Sequence, residues 1–116
     1  HTRTRRQRQM CIRDSFEPVH GSAPKHAGLN KVNPIASINS IQMMLDWLGR
    51  RNNEDELIQI SKLIDDSVAE HLKDGKSLTY DLGGTASCSS VGESIAGILS
   101  KKLEGFWISQ IYFLDF

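Results

Sequence analysis

The sequence predicts a mainly helical fold, three helices joined by two irregular loops, that forms part of a larger protein. Apolar residues recur with helical spacing in three separate segments. Stretches rich in Gly, Pro and Ser interrupt them. The first helix is apolar most of the way round, which demands burial on several sides. At 116 residues the chain has room for one ordinary domain, and this framework is too small for a self-sufficient enzyme.

Composition narrows the class. With 39% hydrophobic and 24% charged residues the chain is not a disordered one. It contains no run of about 18 apolar residues, so no segment reads as a membrane span. Cys11 and Cys88 are too few for a disulfide framework and fit no zinc spacing. The formal net charge of zero selects no polyanionic partner, but it hides two unlike parts. Residues 1–15 carry five arginines and one aspartate, a net of +4. Of the 14 basic and 14 acidic side chains in all, nine and thirteen then remain, so the body has a net of −4. The leader begins with His1 rather than Met, has no apolar face, and reads as foreign sequence resembling translated adapter.

The elements follow in order. Residues 16–33 show no helical or strand period beyond a strand end at Phe16, and Pro18, Gly21, Pro24 and Gly28 break them. A loop of this length in a compact domain is usually functional or disordered. Asn33 followed by Pro34 is a helix start, a cap and then a proline at the first helical position. The first helix is expected from Pro34 to about Leu48, with Ile38, Ile41, Leu45 and Leu48 on one face and Ile35, Met43, Met44 and Trp47 widening it. Gly49 is expected to end it in a left-handed conformation. The second helix is expected from about Asn53, its cap, to Lys73, with acids in the first turn and a stripe of Leu57, Ile60, Ile64, Val68 and Leu72. Gly75 stops it. Residues 77–80 read as an extended piece, and a Gly- and Ser-rich loop occupies residues 81–90. Ser90 and Glu93 make a capping-box pattern opening a third helix with Val91, Ile95, Leu99 and Leu103 on one side. The tail, residues 106–116, is apolar with high β-propensity.

The stretch FEPVHGSAPKHAGLNKVNPIASINSIQMMLDWLG, with DGKSLTYDLGGTAS downstream, resembles the C-terminal region of the β-decarboxylating dehydrogenases, the isocitrate and 3-isopropylmalate dehydrogenase family. The resemblance covers about residues 16–103. It implies an α/β fold of which only the C-terminal, mainly helical part is present, namely three helices plus a cofactor loop. Three segments are then expected: a non-native leader at 1–15, the dehydrogenase part at 16–105 with the adenosine-binding loop at 16–34, and an apolar tail at 106–116. In that family the loop wraps the adenosine half of NAD or NADP on a fold unrelated to the Gly-x-Gly-x-x-Gly fingerprint, which is absent here.

The residues suit that role. Gly21, Ser22, Ala23, Ala27 and Gly28 are small enough for backbone to approach a flat base and a ribose, and Pro24 and Val32 complete the loop. His20 can stack on the base. The Asn33 amide can satisfy the adenine edge, and it serves equally as a plain helix cap. NAD-using members carry an acid where Lys25 stands; a lysine attracts a ribose 2′-phosphate that an acid would repel. Lys31 and a protonated His26 add to that field. Tyr80, followed by Asp81, stands where NADP-using isocitrate dehydrogenases place a phosphate-contacting tyrosine. Against this, His26 replaces a usual Tyr and Gly84 a usual Arg, and the HGSAP and DLGG wording is closer to the isopropylmalate and NAD-isocitrate branches. The balance favours NADP over NAD.

The family oxidises a 2-hydroxy acid by hydride transfer and decarboxylates the resulting β-keto acid. A divalent Mg2+ or Mn2+ polarises the substrate oxygen. The resemblance places the substrate-clamping arginines, the proton-moving Tyr and Lys and the metal-binding aspartates upstream of this segment. No catalytic or metal residue is therefore assigned here, and the chain alone is expected not to turn over. Asp65 and Asp66, adjacent on a helix, point about 100° apart and read as a solvated face. Cys88 has no basic neighbour to activate it. Ser87, Ser89 and Ser90 read as turn and cap residues rather than nucleophiles. The resemblance implies a cytoplasmic homodimer with a dinucleotide and a hydroxy-acid substrate. Two alternatives stand beside it: a non-catalytic regulatory subunit of the same family, or a basic nucleic-acid-binding module acting through residues 1–15.

Overall fold

In the computed structural model, residues 16–18 and 23–114 are described, with side chains up to Ser109. Three helices dominate: α1 (Ile35–Arg51), α2 (Asp55–Asp74) and α3 (Cys88–Leu114). Two single 3₁₀ turns, Pro24–His26 and Tyr80–Leu82, lie in the loops. No strand occurs among the described residues. The arginine-rich leader lies outside them, as do His20, Gly21 and Ser22 of the expected cofactor loop.

Helix α2 lies between its neighbours, packing on α1 and on α3. The core is small: Val68 of α2 with Val91 and Ile95 of α3, covered by Ile35 and Ile38 at the start of α1 and by Ala86. It therefore sits at the end of the bundle where the first loop enters α1 and the second enters α3. Burying those side chains supplies the main favourable contribution, of order 2 kcal/mol each. No apolar side chain of α1 is fully buried, and Ile41 is 53% exposed.

Several helix boundaries differ from expectation. Gly49 does not end α1, which runs on to Arg51. It is a contact glycine: a Cβ there would stand 2.7 Å from Ile58 Cγ1 and 3.0 Å from the Glu54 carbonyl oxygen. Asn53 does not cap α2; it occupies the left-handed turn (φ 54°), and Glu54 precedes the first helical residue. Gly75 terminates α2 as expected, left-handed at φ 68°, its N–H donating to the His71 carbonyl.

The buried face of α2 is rotated from the apolar stripe. It consists of Ser61, Ile64, Ser67, Val68 and His71, whereas Leu72 is exposed. Small and polar residues lie on this contact face because each finds a partner. Ser61 Oγ donates to the Gln42 carbonyl at 3.0 Å and accepts from Gln42 Nε2 at 2.9 Å. Ser67 Oγ donates to the Leu63 carbonyl at 2.7 Å. His71, 2% exposed, shares a hydrogen bond between Nδ1 and Ser94 Oγ at 2.9 Å, tying α2 to α3. The Lys102–Glu70 ion pair at 3.1 Å spans the same two helices.

Helix α3 opens at Cys88, earlier than the Ser90–Glu93 pattern suggested. Ser87 Oγ, not Ser90, takes a free N–H of the first turn, that of Ser90, at 3.1 Å. The helix then continues through Phe106 to Leu114, so the β-prone tail is helical as far as it is described. A helix already nucleated over five turns extends at little cost per residue, and β-propensity yields to that context. The segment at 77–80 is not a strand. Thr79 is extended (φ −75°, ψ 170°) and Tyr80 opens the second 3₁₀ turn. No helix among the described residues is long and apolar enough to cross a membrane.

Candidate functional site

The first loop is shaped by three left-handed residues. Ala23 (φ 47°) leads into the Pro24–His26 turn, and Gly28 (φ 76°) and Asn30 (φ 53°) reverse the chain after it. Gly and Asn adopt this conformation readily, whereas for Ala it costs about 1–2 kcal/mol. The turn is closed by His26 N–H to the Ala23 carbonyl (2.9 Å) and Leu29 N–H to the His26 carbonyl (3.1 Å).

Two asparagines pin this loop to the rest of the protein. Helix α1 opens at Ile35 with Pro34 at its N-cap, one residue later than expected, and Asn33, just ahead of that cap, accepts the Ile35 N–H through Oδ1 at 3.0 Å. Its Nδ2 donates at 3.0 Å to Asp81 Oδ2, in the second loop. This orients the amide and leaves one of its N–H groups free. Asn30 is the second anchor, and the sequence reading missed it. Its carbonyl accepts the Cys88 N–H at 2.8 Å, and its Oδ1 the Ser89 N–H at 3.0 Å. Its Nδ2 donates to Ser89 Oγ at 2.8 Å. The one local signal is an Asn two residues after Gly28, a residue type that adopts the left-handed conformation; its partner Ser89 lies 59 positions away.

The second loop holds its polar groups equally firmly. Thr79, 1% exposed, donates its hydroxyl to Asp81 Oδ1. That bond, with a smaller contribution from the Asn33 amide, holds the Asp81 carboxyl below its ordinary 3.8 against the opposing effect of partial burial. Leu82 and Gly84 donate their N–H groups to the Thr79 carbonyl, each at 3.0 Å. Gly84 passes so close to residue 78 that a Cβ would lie 1.9 Å from the Leu78 carbonyl oxygen. The arginine that the resemblance places at this position has no room on this backbone.

Tyr80 joins the loops from the other side. Its hydroxyl and His26 Nε2 share a 3.3 Å hydrogen bond, with the rings tilted and their centroids 5.4 Å apart. Lys31 Nζ lies 5.4 Å from the centre of the Tyr80 ring. Lys25, next to His26 in the turn, is exposed. Lys25, His26, Lys31 and Tyr80 therefore gather cationic and hydrogen-bonding groups along one side of the site. The acid beside them, Asp81, is already engaged by Thr79 and Asn33.

Beside these residues an open cavity of about 400 Å³ is lined by Ala23, His26, Ala27, Gly28, Asn30, Val32 and Cys88. That volume falls in the range of small-molecule sites, roughly 300–1,000 Å³. Five of its lining residues are among those expected to hold the cofactor. Pro24 and Lys25 stand in the turn without lining the cavity, and Asn33, Tyr80 and Asp81 form the adjoining hydrogen-bonded group. His26 Nδ1 is buried with no hydrogen-bond partner. An unpaired ring nitrogen at the wall, one free amide N–H on Asn33 and small residues along the rim fit a nucleoside. Among the described residues no cluster of His, Cys, Asp or Glu could hold a metal ion, and Asp65 and Asp66 are exposed.

The sequence profile described as isocitrate/isopropylmalate dehydrogenase matches residues 9–95. Curated relatives agree. The chain is 42% identical over 91 residues to a homoisocitrate dehydrogenase of Methanocaldococcus jannaschii, covering 78% of this chain and 24% of that protein. It is 40% identical over 88 residues to a regulatory subunit of the mitochondrial NAD isocitrate dehydrogenase of Dictyostelium discoideum, covering 76% and 23%. It is 44% identical over 80 residues to the alpha subunit of the mitochondrial NAD isocitrate dehydrogenase of Sus scrofa, covering 69% and 20%. The chain thus spans about a quarter of the length of the relatives it matches.

Proposed function

The chain belongs to the isocitrate/isopropylmalate dehydrogenase family, and from that premise we propose that it supplies the adenosine-binding loop of an NADP-preferring dehydrogenase. The whole protein would oxidise and decarboxylate a 2-hydroxy di- or tricarboxylate, the substrate class in the names of its relatives. The observation that carries the reading is the joining of the two loops: Asn33 to Asp81, and His26 to Tyr80, beside the cavity.

Each group has a task. Ala23, Ala27, Gly28 and Val32 receive the flat base against small and apolar surface. The free Asn33 N–H meets its polar edge, and the half-buried His26 ring, held by Tyr80, walls one side. Lys25, with Lys31 and Tyr80, faces the ribose 2′-phosphate, where a lysine acts as a mobile point charge. His20, Gly21 and Ser22 complete the loop in this reading. The bound dinucleotide supplies the hydride acceptor. The substrate clamp, the proton-moving groups and the Mg2+ or Mn2+ ligands belong to the part of the family's length that this chain does not span. The intact protein is read as a homodimer in the cytoplasm, where a thiol such as Cys88 stays reduced.

The test is Lys25→Asp in the protein joined to its catalytic part. The ratio of kcat/KM for NADP over NAD should fall by at least about tenfold, the effect of exchanging attraction for repulsion at a phosphate. An unchanged ratio removes Lys25 from the reading. The similarity to a subunit named as regulatory favours a second reading, a non-catalytic subunit that keeps the nucleotide loop. Such a protein would bind nucleotide yet show no hydride transfer when joined to its own upstream sequence.

A further inference from the structure

We propose that Asn30 is a positioning residue of the nucleotide site: its bonds to Ser89 lock the loop onto the N-terminus of α3 and so set the loop's affinity for adenosine. The inference rests on the reading of residues 23–33 as adenosine-binding. The first turn of α3 has free N–H groups to satisfy. Two of them, on Cys88 and Ser89, are taken by this one residue of the cofactor loop, 59 positions from Ser89 in sequence. The third, on Ser90, is taken by Ser87. Asn30 is thus an N-cap supplied from a distant loop, with the helix dipole strengthening its bonds.

The geometry constrains more than the helix. Asn30 offers both faces of its amide to Ser89, accepting the N–H at 3.0 Å and donating to Oγ at 2.8 Å, so the side chain has a single orientation. Three residues later Asn33 is fixed to Asp81 and Ile35. Between the two anchors lie only Lys31, held over Tyr80, and Val32, on the cavity wall. A segment fastened at both ends keeps its binding conformation before the ligand arrives, and it does not have to be ordered on binding. Asn30 itself lines the cavity, yet both polar atoms of its side chain are engaged by Ser89. Its part is to hold the loop, and the ligand is met by its neighbours.

The experiment uses the full chain, with NADP as the probe, and reads both dissociation constants and amide hydrogen exchange. Asn30→Gly keeps the left-handed backbone and removes both side-chain bonds. It should weaken NADP binding about tenfold and speed exchange at Leu29 and Ser89. Asn30→Asp should restore binding to within about twofold, because one carboxylate oxygen still accepts the Ser89 N–H while the Ser89 hydroxyl turns to donate to the other. Ser89→Ala, which leaves Asn30 in place, should fall between them and serves if the glycine variant does not fold. NADP binding unchanged in Asn30→Gly or Ser89→Ala, or not recovered in Asn30→Asp, overturns the proposal. A wild-type chain that binds no NADP at all overturns the adenosine reading and the affinity role together, which separates the two failures.

Discussion

Replacing Gly84 with alanine should unfold the second loop, and the cost can be worked from the backbone. The new Cβ would stand 1.9 Å from the Leu78 carbonyl oxygen, 2.5 Å from its carbonyl carbon and 2.8 Å from its Cβ. An unstrained carbon–oxygen contact is about 3.3 Å, so the two stretches of chain must separate by roughly 1.4 Å. None of the obstructing atoms is the far end of a flexible side chain. Separation breaks the Ala86 N–H bond to the Leu78 carbonyl (2.9 Å) and the Gly84 N–H bond to the Thr79 carbonyl (3.0 Å). Two backbone bonds at about 0.5–1.5 kcal/mol each, with overpacking of about 1–3 kcal/mol, give a loss of roughly 2–6 kcal/mol. Two other glycines calibrate the measurement. Gly83 has φ 84° and nothing within 4 Å of where a Cβ would stand, so Gly83→Ala should cost only the left-handed strain, about 1–2 kcal/mol. Gly97 lies exposed in α3 with nothing within 4 Å, so Gly97→Ala should stabilise by up to about 1 kcal/mol. Urea unfolding followed by far-ultraviolet circular dichroism reads all three. If Gly84→Ala proves milder than Gly83→Ala, the close approach to Leu78 is wrong, and with it the reason an arginine is excluded there.

Two further outcomes follow from the site. Asp81 has its carboxyl held below the ordinary range by the Thr79 hydroxyl and then the Asn33 amide. Such a group contributes stability that is fully present above its unfolded pKa, about 4, and is lost as the pH falls through the lower folded value. The stability difference between wild type and Asp81→Asn should therefore be present at neutral pH and fade below about pH 4. It should also be small, since the side chain is exposed and screened; a difference that grows on acidification contradicts the assignment. Cys88, a half-buried free thiol on the cavity wall, should be alkylated by iodoacetamide more slowly when NADP is present. Equal rates with and without saturating NADP would place the nucleotide elsewhere.

The core was legible because it obeys helical periodicity: Ile64, Val68, Val91 and Ile95 were each placed on an inward face, and each is buried. Gly75 and the Asn33 bond at the entry to α1 were legible because their chemistry is local, a left-handed stop and an amide accepting an N–H two residues on, though Pro34 rather than Asn33 takes the N-cap position. The contact face of α2 was not, since hydrophobicity gives no weight to Ser61, Ser67 or His71, whose burial depends on hydrogen-bond partners such as Gln42 and Ser94 on the neighbouring helices. Gly49 was misread for a similar reason. A glycine that ends a helix and one that admits a neighbouring helix look alike until the neighbour is in place. The tail shows the converse, a segment whose residue preferences favour strand but whose attachment to α3 makes it helix. In the site, His26, Asn33, Tyr80 and Asp81 were each marked by resemblance, and the structure adds the bonds that join them. Asn30 escaped because its role is long-range, bridging to a residue 59 positions away.

If residues 23–33 and 80–81 form the adenosine half of a dinucleotide site that prefers a 2′-phosphate, fragments of the cofactor suffice to show it. The full chain is titrated with adenosine 2′,5′-bisphosphate and with adenosine 5′-monophosphate, followed by backbone and side-chain amide resonances. Perturbations should be confined to residues 20–33, 80–81 and the cavity-lining Cys88, with tighter binding of the bisphosphate that Lys25→Asp abolishes. Perturbations centred on other residues, or equal affinity for the two nucleotides in wild type and variant alike, would contradict it.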